Sequence, residues 1–172
     1  MILSILEHTP VWVWAIFCAV ITLGLAQTRT RDVSRTRATL LPAVMVTMSF
    51  IGALSAFTEV TLALAAWVAG FSLSLSFAGE AIAMRGASWS PETRRFRVPG
   101  SWLTVTIIVG LFVTKYAAGV CLAIHPSLAA NTSLTALLSV TYGVFAGLFW
   151  GRARSLQRLT RTHHAVQSAR AA

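Results

Sequence analysis

The sequence predicts an all-α fold: a five-helix transmembrane bundle with its N-terminus outside and its C-terminus in the cytoplasm. Three observations predict it. Of 172 residues, 56% are apolar and only 11% charged, too greasy for a water-soluble domain of this size. The apolar residues gather into five stretches, each close to the roughly 17 to 25 residues that a tilted helix needs to cross about 30 Å of hydrocarbon. Of the fourteen Lys and Arg residues, thirteen fall into three clusters between or after those stretches, and the fourteenth, Lys115, stands alone inside one. Backbone groups find no water in hydrocarbon, so the crossings must be helices. The alternating ten-residue pattern of a barrel is missing from the sequence. One integral membrane domain, residues 1–172, takes in the whole chain.

The first stretch, Pro10 to Ala26, begins with Trp12 and Trp14, amphipathic rings that favour the headgroup boundary. Gly24-Leu25-Ala26 before Gln27 looks like a signal-peptide cleavage site. However, the residues before this stretch hold Glu7 and no Lys or Arg, and Arg29, Arg31, Arg35 and Arg37 follow it, which opposes export. An uncleaved first helix is expected. The second and third stretches, Thr39 to Phe57 and Val60 to Ala78, are separated only by Thr58-Glu59. They should form a tight antiparallel hairpin, with Thr58 a candidate N-cap.

The connection 79–101 is the longest. Ala81 to Trp89 is apolar enough to lie along the inner surface, Pro91 to Arg97 is charged, and Pro99-Gly100 turns the chain so that Ser101 caps the fourth stretch, Trp102 to Ile124. Pro126 ends that helix, and Asn131-Thr132-Ser133 offers caps to the fifth, Leu134 to Trp150. Residues 151–172 are expected to be a basic cytoplasmic tail, with Leu156, Leu159 and Val166 among arginines as an interfacial amphipathic extension. Trp102 and Trp150 fall at predicted inner ends, whereas Trp67 sits within the third helix as a packing or lipid-facing ring.

Orientation follows from the basic clusters, because short loops rich in Lys and Arg stay in the cytoplasm. All three clusters fall on one face, where Asp32, Glu80 and Glu92 leave a balance of +10. The other face holds Glu7 and Glu59, and with Lys115 the total is the chain's +9. In a soluble protein such a charge suggests nucleic acid. Here no nucleic acid is expected, and the partners are the bilayer itself and anionic lipids at the cytoplasmic face.

Helix packing in lipid depends on close backbone approach, so small residues at four-residue spacing mark contacts. The fifth helix has the longest such ridge: Thr135, Ser139, Gly143, Gly147 and Gly151. The third carries Ala66, Gly70, Ser74 and Ala78 on one stripe. The fifth-helix ridge could meet another helix of the same chain, which is the preferred reading, or a second copy.

Lys115 is the chemical exception. A charge at mid-membrane costs about 3 kcal/mol on insertion scales and is rarely left without a partner or a wet cavity. By counting from the helix ends, Tyr142 should lie near its depth. A polar site of Lys115, Tyr116, Tyr142 and Ser139 could therefore bind a small anion or handle a proton; alternatively Lys115 simply extends to the headgroups. On the outer face, His8, His125, Glu7 and Glu59 suit a transition metal by type but lack a paired-ligand spacing, so no metal or cofactor is expected. Cys18 and Cys121 fall at different depths and have no CxxC context; both are expected to be packing residues. No phosphate loop, GxSxG or pair of acids lies within the bundle, and the protein is not expected to be an enzyme.

Several pieces carry a resemblance: His8-Thr9-Pro10 with Trp12-Val13-Trp14 and Gln27, Pro99-Gly100-Ser101-Trp102, Lys115-Tyr116, and Tyr142-Gly143 followed by Gly147, Phe149, Gly151 and Arg152. In these the chain resembles an uncharacterised group of small bacterial inner-membrane proteins of unknown function. The resemblance implies a multi-pass protein of the bacterial cytoplasmic membrane and supplies no activity. Two functional classes follow from the residues. One is a small transporter-like module with a path past Lys115 lined by Ser72, Ser76, Ser139 and Tyr142. The other is a non-catalytic assembly or accessory subunit that joins a homo-oligomer or other membrane proteins through the fifth-helix ridge.

Overall fold

The structure, a computed structural model, describes residues 10–81, 86–93 and 95–171, with side chains described for 10–11, 13–77, 86–93 and 95–160. The described chain is mostly helical and divides into two compact units, Met1–Arg29 with Gly100–Leu128 and Thr30–Pro99 with Ala129–Ala172. Among the described residues four helices are long and apolar enough to cross a membrane, by length and composition, over Arg35–Ala56, Val60–Phe77, Trp102–Ile124 and Thr132–Thr160.

The first unit is an antiparallel pair, α1 (Val11–Ala26) and α4 (Trp102–Ile124). Among the described α-helices α1, at 16 residues and ~24 Å, is the shortest. The Phe17 and Phe112 rings meet at 5.4 Å. A Cβ on Gly24 would stand 3.2 Å from Val105, a contact tighter than most side chains tolerate. The Ser101 N–H donates to the Gln27 carbonyl at 3.0 Å, closing this end. The turn needs its glycine, because a Cβ on Gly100 would fall on the Thr28 carbonyl. Ser101 occupies the N-cap position as predicted, yet its hydroxyl makes no cap bond. Its backbone carbonyl instead accepts from the Thr104 N–H at 3.2 Å. α4 stops at Ile124 and the chain passes through a 3₁₀ turn, Pro126–Ala130, because proline cannot continue the hydrogen-bond ladder.

The second unit contains α2 (Arg35–Ala56), α3 (Val60–Ala81), α5 (Thr132–Ala171) and a small sheet. The Ser34 hydroxyl accepts from the Arg37 N–H at 3.3 Å, so α2 starts four residues before the predicted Thr39. Asn131 Oδ1 accepts from the Leu134 N–H at 3.0 Å and caps α5, as expected. Thr58 does something else. Its N–H and its hydroxyl both donate to the Ala129 carbonyl at 3.3 Å, fastening the α2–α3 turn to the start of α5.

Along their length α3 and α5 run parallel. Gly143 lies against Trp67 and Phe71, and four residues on Gly147 lies against Phe71 and Ser74. The two predicted ridges therefore face each other within one chain. A Cβ on Gly70 would fall on the Val140 carbonyl, and one on Gly143 on the Trp67 carbonyl. One on Gly147 would stand 2.7 Å from the Phe71 carbonyl and 2.8 Å from the Ser74 Cβ. Ala66 is buried on the same stripe of α3, and Gly151 at the end of the ridge is half-buried.

Two expectations are corrected beyond Trp150. The helix does not end there; α5 continues as one helix of 40 residues, ~60 Å long and about twice the hydrocarbon thickness. The extension is no interfacial tail either. Arg152, Ala153, Leu156 and Thr160 are buried, continuing the three-to-four spacing of a packed face.

What covers them is a sheet, so the fold is not all-α. Strands β1 (Arg31–Ser34), β2 (Ser88–Ser90) and β3 (Arg95–Val98) are antiparallel in the order β1-β3-β2. Val33 and Trp89 both stand opposite Phe96, and Arg31 stands opposite Val98. Residues in register share a face. Phe96, Val98, Ala38 and Leu156 form a core with Val33, Ala87, Trp89 and Leu159 packed on it. Asp32, Ser34, Arg95 and Arg97 occupy the other face by alternation. Gly86, at φ 82°, makes the left-handed turn into β2 that a side chain disfavours.

Gly143→Ala and Gly147→Ala are each expected to lower stability by roughly 1–3 kcal/mol through overpacking. Gly119→Ala, which meets nothing within 4 Å, should be neutral or stabilising. Thermal melts in a neutral detergent check the contrast, and equal melts for all three would show that the seam does not exist.

Candidate functional site

A buried polar node joins the three helices of the second unit. The Trp67 Nε1–H on α3 donates to the Ser49 hydroxyl on α2 at 3.2 Å, and Ser49 donates to the Tyr142 carbonyl on α5 at 2.9 Å. Ser49, Trp67 and Tyr142 are all buried. The Trp67 ring stacks on Phe71 at 5.1 Å and meets Phe50 edge-on at 5.1 Å. Sequence alone placed Trp67 as a generic packing ring and passed over Ser49. A lone serine on an apolar helix carries no signal until its depth can be matched to an indole N–H on the neighbour.

Ser139 and Thr135 lie on the ridge of α5 at 0% exposure, and Ser74, 6% exposed on α3, lies against the same ridge at Gly147. Among the described residues their hydroxyl oxygens have no hydrogen-bond partner. These are small side chains that let helices close together.

Lys115 and Tyr116 are neighbours on α4 in the first unit, both half-buried. The Tyr116 ring lies parallel to that of Phe112 at 6.4 Å, and the Thr114 hydroxyl folds back to the Gly110 carbonyl at 2.8 Å. Of the four residues predicted to form a polar site, Lys115 and Tyr116 belong to the first unit and Ser139 and Tyr142 to the second.

On the outer face, His125 is exposed at the C-cap of α4, while His8 and Glu7 lie outside the described residues. Among the described residues no group of three or more His, Cys, Asp and Glu is placed to hold a metal ion. Cys18 and Cys121 are free and exposed, not packed inside as expected.

The basic clusters converge. β1 and the start of α2 bring Arg31, Arg35 and Arg37; β3 brings Arg95 and Arg97; α5 brings Arg152, Arg154 and Arg158. The Arg35 guanidinium sits 5.0 Å above the Trp89 ring, whose other neighbour is Phe96 at 4.7 Å. Arg31 is on the inner face of the sheet by register with Val98. Burial lowers its pKa from the ordinary guanidinium value. Arg152 is buried at 8% exposure.

With this geometry in place, comparison with known proteins gives one match. Residues 1–167 fit a family of unknown function, DUF6622. The chain belongs to that family. No curated protein and no solved structure matches it. For DUF6622 the coverage takes in the first unit, the seam and the cap, and all of the second unit but its last five residues.

Ser49→Ala should cost about 1–3 kcal/mol, because it leaves the Trp67 N–H buried without an acceptor. Adding Trp67→Phe to Ser49→Ala should then cost less than Trp67→Phe alone. A double-mutant cycle by detergent melts measures this, and strict additivity would dissolve the node.

Proposed function

We propose that this protein is an integral, multi-pass protein of the bacterial cytoplasmic membrane with its N-terminus outside and its C-terminus inside. It acts as a small transporter-like module and not as an enzyme, and Lys115 meets a small anion or a proton. The observation that carries the functional part is a half-buried lysine in the middle of α4, a 23-residue helix otherwise free of charge. A base in such a segment is costly to insert and marks a pathway far more often than an anchor.

Chain direction supports the orientation. Within the second unit, the Thr58–Ala129 bonds lie at one end and the sheet at the other. The chain leaves that unit at Pro99, beside the sheet, and re-enters at Ala129. In the first unit α1 runs against α4. The basic cap then faces the cytoplasm by the positive-inside rule. The assembly reading needs a free glycine ridge on α5, and α3 covers Gly143 and Gly147.

Reporters fused after Ala172 test the orientation: green fluorescent protein should glow and alkaline phosphatase should stay inactive, and the reverse pattern contradicts it. Proteoliposomes test the function. Wild-type protein should dissipate imposed proton and chloride gradients faster than protein-free vesicles. Lys115→Met should return the rate to that of protein-free vesicles while keeping the wild-type melting profile. Equal rates for wild type, variant and empty vesicles would defeat the transporter-like reading.

A further inference from the structure

The interior of the second unit changes character at Trp67. Toward the sheet, Gly70, Gly143 and Gly147 bring the backbones of α3 and α5 into contact. Toward Thr58 the stripe on α5 turns from glycine to hydroxyl. Ser139 and Thr135 continue the four-residue spacing of Gly147 and Gly143, so they face α3, and both are fully buried. Among the described residues their hydroxyl oxygens have no hydrogen-bond partner. A helical hydroxyl ordinarily folds back on its own helix, as that of Thr141 does to the Leu137 carbonyl at 2.7 Å. Thr135 and Ser139 instead keep theirs in the seam.

The polar node fixes what stands across from them. Ser49 on α2 bonds to Tyr142, and Trp67 on α3 lies against Gly143. One helical turn nearer Thr58, the facing positions are Ala53 on α2, Ala63 on α3 and Ser139 on α5, all at 0% exposure. Alanine side chains neither donate nor accept, so the two neighbours leave the Ser139 hydroxyl unsatisfied, and a buried polar group in that state costs its full desolvation. Ser139 and Thr135 stand four residues apart, about 6 Å along the helix. One water bridges such a gap with two hydrogen bonds of about 2.8 Å, and a main-chain carbonyl of the same turn offers the third contact that buried water typically makes. Ser74, the other buried hydroxyl without a partner, stands in a different setting. It is a single hydroxyl, and its oxygen would be 3.0 Å from a Cβ on Gly147, in the part of the seam where the backbones touch.

We infer that Thr135 and Ser139 form a binding site for ordered water between α5 and α3. The ligand is small and neutral, because Ala53 and Ala63 bring no charge to this level and no side chain longer than a methyl. With the water in place, polar groups follow one another from Thr135 through Ser139 to Ser49 and Trp67, from the Thr58 end of the unit to its middle. An indole N–H donates and cannot accept, so the series ends at Trp67. The site rests neither on the orientation nor on the role of Lys115 proposed above.

Magnetic cross-relaxation between water and alanine methyl groups tests it, in the full chain, perdeuterated, methyl-labelled at alanine and held in a neutral detergent. A cross-peak to water is expected at the Ala63 methyl. None is expected at Ala146, which is 1% exposed on α5 between the two glycines of the seam. Ser139→Ala and Thr135→Val keep the size of each side chain while removing a contact to the water. Each should lower the melting temperature by about 2–6 °C and weaken the Ala63 cross-peak. Together they should cost less than the sum of the two, because the water is already loosened by the first. A dry seam predicts the opposite sign, since deleting an unsatisfied buried hydroxyl raises the melting temperature. The site is overturned by a wild type without the Ala63 cross-peak, by an equal cross-peak at Ala146, by a cross-peak that survives in the double variant, or by single variants that melt as high as wild type. Should the variants fail to fold, the wild-type spectrum decides by the presence or absence of the Ala63 cross-peak.

Discussion

Where α3 and α5 meet, side chains are nearly missing, and the two backbones touch at Gly70, Gly143 and Gly147. Apolar contact between helices gains little in lipid, since hydrocarbon tails are as greasy as Leu, so association depends on dispersion contacts and polar bonds at short range. Cβ atoms at these three positions would strike main-chain carbonyls, and a carbonyl cannot rotate away as a side chain can. The seam therefore sets the spacing of the second unit, and the other features are built to that spacing.

The Trp67–Ser49–Tyr142 node is one of them. The Tyr142 carbonyl that accepts from Ser49 is the residue immediately before Gly143. The Trp67 carbonyl that would meet a Cβ on Gly143 belongs to the same residue whose indole donates to Ser49. Moving α3 off α5 by an ångström would pull both bonds apart at once. The cap depends on the seam in another way. Parallel α3 and α5 both finish at the sheet end, so the chain after α3 can fold strands β2 and β3 onto the extension of α5, and β1 joins from the start of α2. A helix of 40 residues is apolar enough over its first part to cross a membrane and forms the floor of a small domain over the rest.

Much of this was legible in the sequence. α4 runs Trp102–Ile124 as its apolar stretch predicts, and α2 differs at its start because the Ser34 cap lies outside the apolar stretch. The glycine ridge could be read because four-residue spacing is a direct image of a helix face. Two things were hidden. Strands of three and four residues lie within segments whose arginines dominate any reading, although Arg95-Phe96-Arg97-Val98 does alternate. α5 continues through Gly151-Arg152, residues that in sequence resemble a helix end, because tertiary burial of Ala153 and Leu156 overrides them.

The central claim is that the glycine ridge of α5 is satisfied inside its own chain. An engineered disulfide tests it most directly. In a chain with Cys18 and Cys121 changed to Ser, cysteines are placed at Ser74 and Gly147, where a Cβ at 147 would stand 2.8 Å from the Cβ of residue 74. That is about 1 Å inside the ~3.8 Å of a relaxed disulfide, so the crosslink reports which surfaces meet while loosening the seam locally. After mild oxidation in membranes, intact-mass and non-reducing gel analysis should give a monomer with an internal disulfide. A crosslink found only between chains would contradict the account, because it would place the ridge at an interface between copies.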